Sequence, residues 1–283
     1  MTLKALIFDV DGTLAETERD GHRVAFNQAF ANVGLSWHWS IARYGELLHV
    51  AGGKERIRAY IEQDQPPIPT HWDVETLIAT LHQRKNQYYT DGLRRGEVQL
   101  RPGVRRLILE ARAQGIRLAI ATTSQPENAL ALLETALAPD APGWFEVIAA
   151  GDIVPHKKPA PDVYRYVLQQ LGLPAHVCLA IEDTEQGLTA ATGAGIPTVV
   201  TVNDYTREQN FAAAALVLTH LGEPQHPAQI LAGSSLAGQP AMLTVDTARQ
   251  VLQASVLAND VTVFHRAGSS SKSTASPDLK PVI

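Results

Sequence analysis

Cysteine is nearly absent from this sequence, which contains a single such residue, Cys178, inside an apolar run. One cysteine cannot form an internal disulfide, so the sequence is not that of a disulfide-stabilised secreted domain, and a reducing, cytoplasmic location is expected. No uninterrupted apolar run approaches the roughly 20 residues of a membrane-spanning helix. The opening Met-Thr-Leu-Lys also lacks the segments of a secretory signal peptide. We therefore expect a soluble, cytoplasmic protein without membrane contact.

The sequence also lacks an excess of basic over acidic residues. The chain has 24 Lys and Arg against 29 Asp and Glu, a formal net charge of -5 at pH 7. Nothing in this balance would attract a nucleic-acid backbone, so nucleic acid is not an expected partner. The 45% hydrophobic and 19% charged residues are typical of globular proteins, and 283 residues suffice for one large or two modest domains.

What the sequence does contain is a short apolar stretch, residues 3–8, followed by two carboxylates, Asp9 and Asp11. A run too short for a helix that stops at an acidic, glycine-containing turn predicts a buried parallel strand. In open α/β sheets, ligands bind just beyond the carboxyl ends of the strands. Side-chain alternation places Asp9 and Asp11 on the same side. Because two buried like charges are costly unless a cation compensates them, this arrangement predicts a metal.

Apolar stretches with the length of strands recur after residue 100 and alternate with helical periodicity. The predicted strands are 116–121, 145–149, 177–181 and 197–202, with a further candidate at 213–218. The predicted helices between them are 104–111, 126–138, 161–171 and 185–194. Repeated strand–helix units with short loops predict an α/β fold whose parallel sheet is covered on both faces.

Between the first two strands the pattern is helical throughout. We predict helices at 20–34, 41–50, 54–63 and 74–89, and no strand among them. An all-helical insertion in a sheet protein indicates a second, smaller domain. The expected division is a core of residues 1–17 and 92–258 and a helical cap of 18–91, hinged at 16–18 and 91–97. A helix is expected at 245–256, and the polar segment 259–283 is expected to be a mobile tail.

Three further polar clusters stand at or beside predicted strand ends: residues 122–124, residues 156–162 and residues 182–184. Lys158, fixed just before Pro159, would offset the negative charge of Asp9. Its neighbours His156 and Lys157 are weaker candidates. Hard carboxylate oxygens in such a site suit Mg2+. A carboxylate at position 9 suits a nucleophile, and Asp11 suits a general acid and base.

The motif Asp-x-Asp-Gly-Thr-Leu at 9–14 resembles the first motif of the haloacid dehalogenase superfamily, and the other three clusters resemble its later motifs in the same order. The resemblance extends to about residue 220 and implies a Rossmann-like core and a magnesium-dependent phosphatase. It implies catalysis by Asp9, Asp11, Thr122 and Lys158. Thr122, Thr123 and Ser124 would bind the phosphoryl group. Asp9, Asp11 through its carbonyl, Asp183 and, as a second or water-mediated ligand, Glu182 would hold the metal.

The helical insertion resembles the cap of the phosphoglucomutase-like and CbbY-like branch of that superfamily. Its candidate substrate contacts are Glu18, His22, Lys54, Arg56 and Lys85, although Lys54, Arg56 and His22 could equally face solvent. Cationic side chains beside a Gly-Gly pair suit a second phosphate.

The resemblance therefore implies a sugar-bisphosphate phosphatase, with xylulose-1,5-bisphosphate of the Calvin cycle as the best candidate substrate. The alternatives are a sugar phosphomutase of the same fold, which would return the phosphoryl group to sugar, and a non-catalytic phosphosugar-binding protein. The expected partner is the phosphosugar, and the expected assembly is a monomer or weak dimer.

Overall fold

The computed structural model describes residues 2–50, 52–233 and 241–268, and this part of the chain contains one seven-stranded sheet. The strands are β1 (Ala5–Phe8), β2 (Arg117–Ala121), β3 (Val147–Ala149), β4 (Cys178–Glu182), β5 (Thr198–Thr201), β6 (Leu216–Leu218) and β7 (Ile230–Ala232). Their order is β3-β2-β1-β4-β5-β6-β7, and only the last pair, β6 with β7, is antiparallel. The predicted α/β class with a mostly parallel sheet is confirmed.

The strand β1 lies at the centre of the sheet, between β2 and β4. Ile7 is aligned with Ala119 on one side and with Ala180 on the other. All four residues of β1 are fully buried because helices cover both faces of the sheet. Since the chain builds the sheet outward from β1 first on one side and then on the other, the strand order reverses here. A crevice is expected beyond the carboxyl end of β1.

In the described residues after the insertion, the α-helices are α5 (Val104–Ala113), α6 (Pro126–Leu132), α7 (Asp162–Leu171), α8 (Glu185–Gly193) and α9 (Val245–Gly268). Leu6 and Phe8 pack in the cluster that contains α5, whereas Ile7 packs in the cluster that contains α7. Across residues 2–50, 52–233 and 241–268, none of the helices combines the length and apolar character needed to cross a bilayer.

The insertion between β1 and α5 is helical in its described residues. It comprises a π-helical segment (Thr17–His22) and the helices α1 (Arg23–Asn32), α2 (Ile41–Leu47), α3 (Gly53–Asp64) and α4 (Val74–Arg94). These helices share an aromatic core in which Phe26, Trp39 and Tyr44 are fully buried, with the rings of Phe26 and Trp39 4.7 Å apart. The insertion thus has a hydrophobic core of its own. The exact division into core and cap domains stays a prediction.

Several element ends differ from the predicted ones. The first helical segment of the insertion begins at Thr17, not at residue 20, and α4 continues to Arg94, so both predicted hinge segments are largely helical. The strand β7 was not predicted, because three residues that are mostly exposed carry little periodicity. The helix α9 runs past residue 256 to Gly268 and includes part of the predicted tail 259–283. Residues 269–283 of that tail lie outside the described residues.

Candidate active site

Polar residues from three neighbouring strands meet at one edge of the sheet. Asp9 directly follows β1, and its main-chain N–H donates to the carbonyl of Ile181 at 3.0 Å. Thr122 directly follows β2, and its N–H donates to the carbonyl of Ala149 at 2.9 Å. Glu182 is the last residue of β4. Because parallel strands end at the same edge, three clusters that are far apart in the sequence come together.

Lys158 reaches this edge from the loop before α7. Its Nζ lies 2.6 Å from Asp9 Oδ1, 2.6 Å from Glu182 Oε1 and 2.9 Å from the carbonyl oxygen of Ala121. An ammonium group has three N–H donors, so these acceptors use all of them. Burial by itself would lower the pKa of Lys158, but Asp9 and Glu182 raise it above its ordinary value. Lys158 is therefore a charged group held in a fixed orientation on Asp9.

The two neighbours of Lys158 lie outside the cluster. Lys157 is exposed and pairs with Asp152 at 2.8 Å, and His156 is exposed and contacts Asp162 at 2.8 Å. Exposed pairs of this kind contribute little stability. The structure thus places Lys158, and not its neighbours, beside Asp9.

A group of three carboxylates fits a divalent metal ion. Asp9, Glu182 and Asp183 each offer an oxygen within 4.8 Å of the others, and their exposed fractions are 7%, 0% and 4%. Burial, opposed by Lys158, raises the pKa of Asp9 to about 7. Burial and then the charges of Asp9 and Glu182 raise the pKa of Asp183 well above its ordinary value. One ammonium thus contacts two of these three buried carboxylates, and an oxygen-ligated cation such as Mg2+ would compensate the remaining charge.

Asp183 is oriented by two hydrogen bonds to its carboxylate. Thr13 Oγ1 donates to Oδ1 at 3.3 Å, and Asn203 Nδ2 donates to Oδ2 at 2.8 Å. The amide of Asn203 cannot turn over freely, because its Oδ1 also accepts the N–H of Tyr205 at 2.9 Å. Sequence reasoning missed Asn203. The available signal was its position as a polar residue just after the apolar strand β5.

Asp11 is held by two hydroxyl groups. Thr17 Oγ1 donates to Asp11 Oδ1 at 2.5 Å, and Ser124 Oγ donates to Asp11 Oδ2. Ser124 also donates its N–H to Thr122 Oγ1 at 3.1 Å, whereas the side chain of Thr123 is exposed. In this arrangement the Ser124 hydroxyl contacts Asp11, the predicted proton carrier, whereas the side chain of Thr122 is buried and accepts the N–H of Ser124. Thr17 was not among the predicted site residues.

Two of the predicted substrate contacts in the insertion are linked through Tyr44. The Tyr44 hydroxyl donates to Glu18 Oε2 at 2.5 Å and accepts from Arg56 Nη1 at 3.0 Å. Arg56 also donates to the carbonyl oxygens of Leu47 and Val50, both at 3.3 Å. Burial raises the pKa of Glu18, while the charge of Arg56 and the Tyr44 hydrogen bond oppose this shift. Arg56 thus anchors Glu18 and the chain around it.

Lys85 and His22 lie close to this pair. The Lys85 side chain is buried, and its Nζ lies 5.1 Å from the ring centroid of Phe26 and 5.4 Å from that of Tyr89. His22 stacks on Tyr89 with ring centroids 3.7 Å apart. Burial lowers the pKa of Lys85 to about 8, and burial followed by the charge of Lys85 lowers the pKa of His22 well below its ordinary value. Lys54, in contrast, is exposed.

Arg101 supports the site and was also missed. Its buried guanidinium donates to the carbonyl oxygens of Gly12, Thr201, Val202 and Thr219, and it pairs with Glu16 at 2.8 Å. These contacts tie the turn that carries Asp11 to the ends of β5 and β6. In the sequence, Arg101 is indistinguishable from a residue that merely precedes a helix, because its partners lie about a hundred positions away.

A family model described as haloacid dehalogenase-like hydrolase matches residues 3–195. The protein CbbY of Cupriavidus necator is 50% identical over 225 residues, which cover 80% of this chain and 88% of that protein. The protein CbbY of Rhodobacter capsulatus is 51% identical over 214 residues, covering 76% and 92%. A mutant CbbY from Rhodobacter sphaeroides, solved in complex with xylulose-(1,5)bisphosphate, is similar with a TM-score of 0.65 and 42% identity, covering 77% of this chain and 95% of that one.

Proposed function

This chain belongs to the haloacid dehalogenase-like hydrolase family, and we propose that it is a magnesium-dependent phosphatase of sugar bisphosphates. The observation that carries the proposal is the convergence of Asp9, Lys158, Glu182 and Asp183 at one buried edge of the sheet. The best candidate reaction is hydrolysis of xylulose-1,5-bisphosphate to xylulose 5-phosphate. The similarity to a CbbY solved with that bisphosphate supports this choice.

In the proposed mechanism, the Asp9 carboxylate attacks phosphorus to form an aspartyl-phosphate, and the bond between phosphorus and the sugar oxygen breaks. Lys158 keeps the attacking carboxylate oriented. Asp11 gives a proton to the departing sugar oxygen and later takes one from the water that hydrolyses the intermediate. Mg2+ held by Asp9 and Asp183, with Glu182 nearby, would offset the negative charge of the phosphoryl group.

Thr17 and Ser124 set the orientation of Asp11, since each donates its hydroxyl to one of the two Asp11 carboxylate oxygens. Ser124 follows β2 and Thr17 begins the helical insertion. We therefore propose that the position of the insertion and the orientation of Asp11 change together. This coupling would let a bound sugar, and not water alone, bring Asp11 into position.

The insertion supplies the contacts for the rest of the sugar. His22 and Lys85 both contact the ring of Tyr89, and Glu18 directly follows Thr17, whose hydroxyl donates to Asp11; this supports a position of these groups near the reacting centre. A cation and a carboxylate side by side suit a distal phosphate and neighbouring sugar hydroxyls. Arg56 is committed to Tyr44 and to carbonyl oxygens, so its contribution is to hold Glu18. A direct contact from the exposed Lys54 stays a prediction.

A panel of phosphate esters tests this proposal. With Mg2+, kcat/KM for xylulose-1,5-bisphosphate should exceed that for other sugar bisphosphates, their monophosphates and p-nitrophenyl phosphate by at least about tenfold. A chelator should abolish the release of inorganic phosphate, and Mg2+ should restore it. Equal turnover of every monophosphate without a preference for a pentulose bisphosphate would contradict the proposal that xylulose-1,5-bisphosphate is the substrate. An isomeric sugar phosphate without inorganic phosphate would identify a mutase, and no turnover at all a binding protein.

Because of Lys85, kcat/KM for the bisphosphate should decrease as the pH rises above neutrality. Its pKa of about 8 means that the ammonium is charged at pH 7 and loses its proton as the pH rises through 8. Because kcat/KM reports the free enzyme, and Asp9 with its pKa of about 7 gains charge over the same range, kcat/KM for the bisphosphate should fall about fivefold between pH 7 and pH 9. The measurement is a pH profile of initial rates.

The matched control is Lys85→Arg, whose guanidinium keeps its charge over this range. In that variant the decline should disappear, even if the overall rate is lower. In the wild type, p-nitrophenyl phosphate should show no such decline, since it has no distal phosphate. The same decline in Lys85→Arg would contradict the assignment to Lys85.

A further inference from the structure

Tyr164 is a buried tyrosine on α7 whose hydroxyl lies beneath the catalytic cluster. It is fully buried, and its hydroxyl donates to Glu182 Oε1. Lys158 Nζ contacts the same oxygen at 2.6 Å and also lies 5.2 Å from the centroid of the Tyr164 ring. One side chain therefore contacts both the carboxylate and the ammonium through a hydrogen bond and a cation–π interaction.

The opposite side of Glu182 is closed by the first turn of α8. A Cβ atom on Gly187 would overlap the Glu182 carboxylate, so a glycine is required at this position. Thr184 caps the same turn by accepting the N–H of Gly187 at 3.0 Å. The Glu182 carboxylate thus lies between the Tyr164 hydroxyl and the backbone of α8. These contacts on two sides restrict how far the carboxylate can turn away from Lys158.

We infer that Tyr164 is a positioning residue for phosphoryl transfer, acting through Glu182 to keep Lys158 oriented on Asp9. Lys158 uses its three donors on Asp9, Glu182 and a carbonyl oxygen, so a shift of Glu182 changes the geometry at Asp9 directly. A displacement of about 1 Å in such a site can cost about a hundredfold in rate. The inference rests on the proposed phosphatase function but not on the identity of the sugar.

The test is Tyr164→Phe, which removes the hydroxyl and keeps the ring over Lys158. We expect kcat for p-nitrophenyl phosphate to fall by about tenfold to a hundredfold. Losses of this size are typical when a residue that hydrogen-bonds to a ligating or catalytic side chain is removed. KM should stay within about threefold, because the change acts on the nucleophile and not on ground-state binding. Tyr166→Phe, the same substitution on the partly buried neighbour in α7, should leave kcat within about twofold. A normal kcat in Tyr164→Phe, or a loss confined to KM, would overturn the inference.

A double-mutant cycle with Glu182→Gln separates positioning from packing. If Tyr164 acts through Glu182, the double variant should have the kcat of Glu182→Gln alone. Losses that multiply would show that Tyr164 acts by another route and would overturn the inference. The inference would also be overturned if Glu182→Gln alone kept a kcat within about threefold of wild type. This result does not depend on whether Tyr164→Phe folds.

The test of Tyr164 uses p-nitrophenyl phosphate, which lacks a sugar. If the wild type hydrolysed p-nitrophenyl phosphate but not xylulose-1,5-bisphosphate, only the proposed substrate would be contradicted. A wild type that hydrolyses no phosphate ester would contradict both proposals.

Discussion

Asp9→Asn is expected to lower kcat by more than about a thousandfold, because residues that act as one catalytic unit show losses of this size when a single member is removed. The amide has nearly the shape of the carboxylate but is a poor nucleophile toward phosphorus. It also ends the ion pair with Lys158 Nζ, which lies 2.6 Å from Asp9 Oδ1. Single-turnover rates of phosphate release measure the effect. After an acid quench during turnover, the wild type, and not the variant, should carry phosphate bound covalently to the protein.

The matched control is Asp152→Asn, which removes an exposed carboxylate that pairs with Lys157 at 2.8 Å. It should keep kcat within about twofold, as surface substitutions away from special features usually do. Asp9→Asn should remain folded by circular dichroism and should still bind the bisphosphate. More than one per cent of the wild-type kcat in a folded Asp9→Asn protein would refute the covalent mechanism. An unfolded variant would show that Asp9 is needed for structure as well.

The part of the site that sequence reasoning predicted is the part set by strand ends. Asp9, Thr122 and Glu182 each follow or end a short apolar run, and parallel pairing alone brings them to one edge. Strand ends alone do not predict the position of Lys158, since it lies in a loop. Its assignment to the site came from the order of the motifs along the chain. Its contacts with both Asp9 and Glu182 agree with that order.

The residues that hold these groups in place were not predictable in the same way. Arg101, Asn203 and Tyr164 reach partners from 18 to 118 positions away, and only Asn203, by its position just after β5, carries a local signal in the sequence. Each satisfies a buried polar group whose position is known only once the sheet is assembled. Sequence patterns thus identified the groups proposed to touch the phosphate, and the fold revealed the groups that orient them.

The insertion shows the same limit for its charged residues. Sequence reasoning proposed Lys54, Arg56 and Lys85 as candidate substrate contacts and left only Lys54 and Arg56 equally open to facing solvent, and the structure separates all three. Lys85 is buried between aromatic rings, Arg56 is bonded to Tyr44, and Lys54 is exposed. The difference arises from packing against Phe26 and Tyr44, which periodicity predicts only as an apolar face.

Gly12→Ala is expected to cost about a hundredfold in kcat, the loss that follows when a catalytic group is displaced by about 1 Å. Gly12 has φ of 80°, and a Cβ atom there would overlap Asp183 Oδ2 and lie 2.8 Å from Asn203 Nδ2. Asp183 would have to move away from the Asn203 amide that orients it. The affinity for Mg2+, measured by calorimetry without substrate, should fall by at least about tenfold, since Asp183 is a proposed ligand.

Gly34→Ala separates this displacement from backbone strain alone. Gly34 also has φ of 80°, but nothing lies within 4 Å of the Cβ atom that an alanine would add. That variant should lose about 1 kcal/mol in the free energy of unfolding and keep its kcat and its affinity for Mg2+. Gly12→Ala should show the same strain plus the loss of activity and of metal binding. If the two variants lost activity equally, crowding of Asp183 would not be the cause, and the turn after β1 would contribute only its backbone conformation.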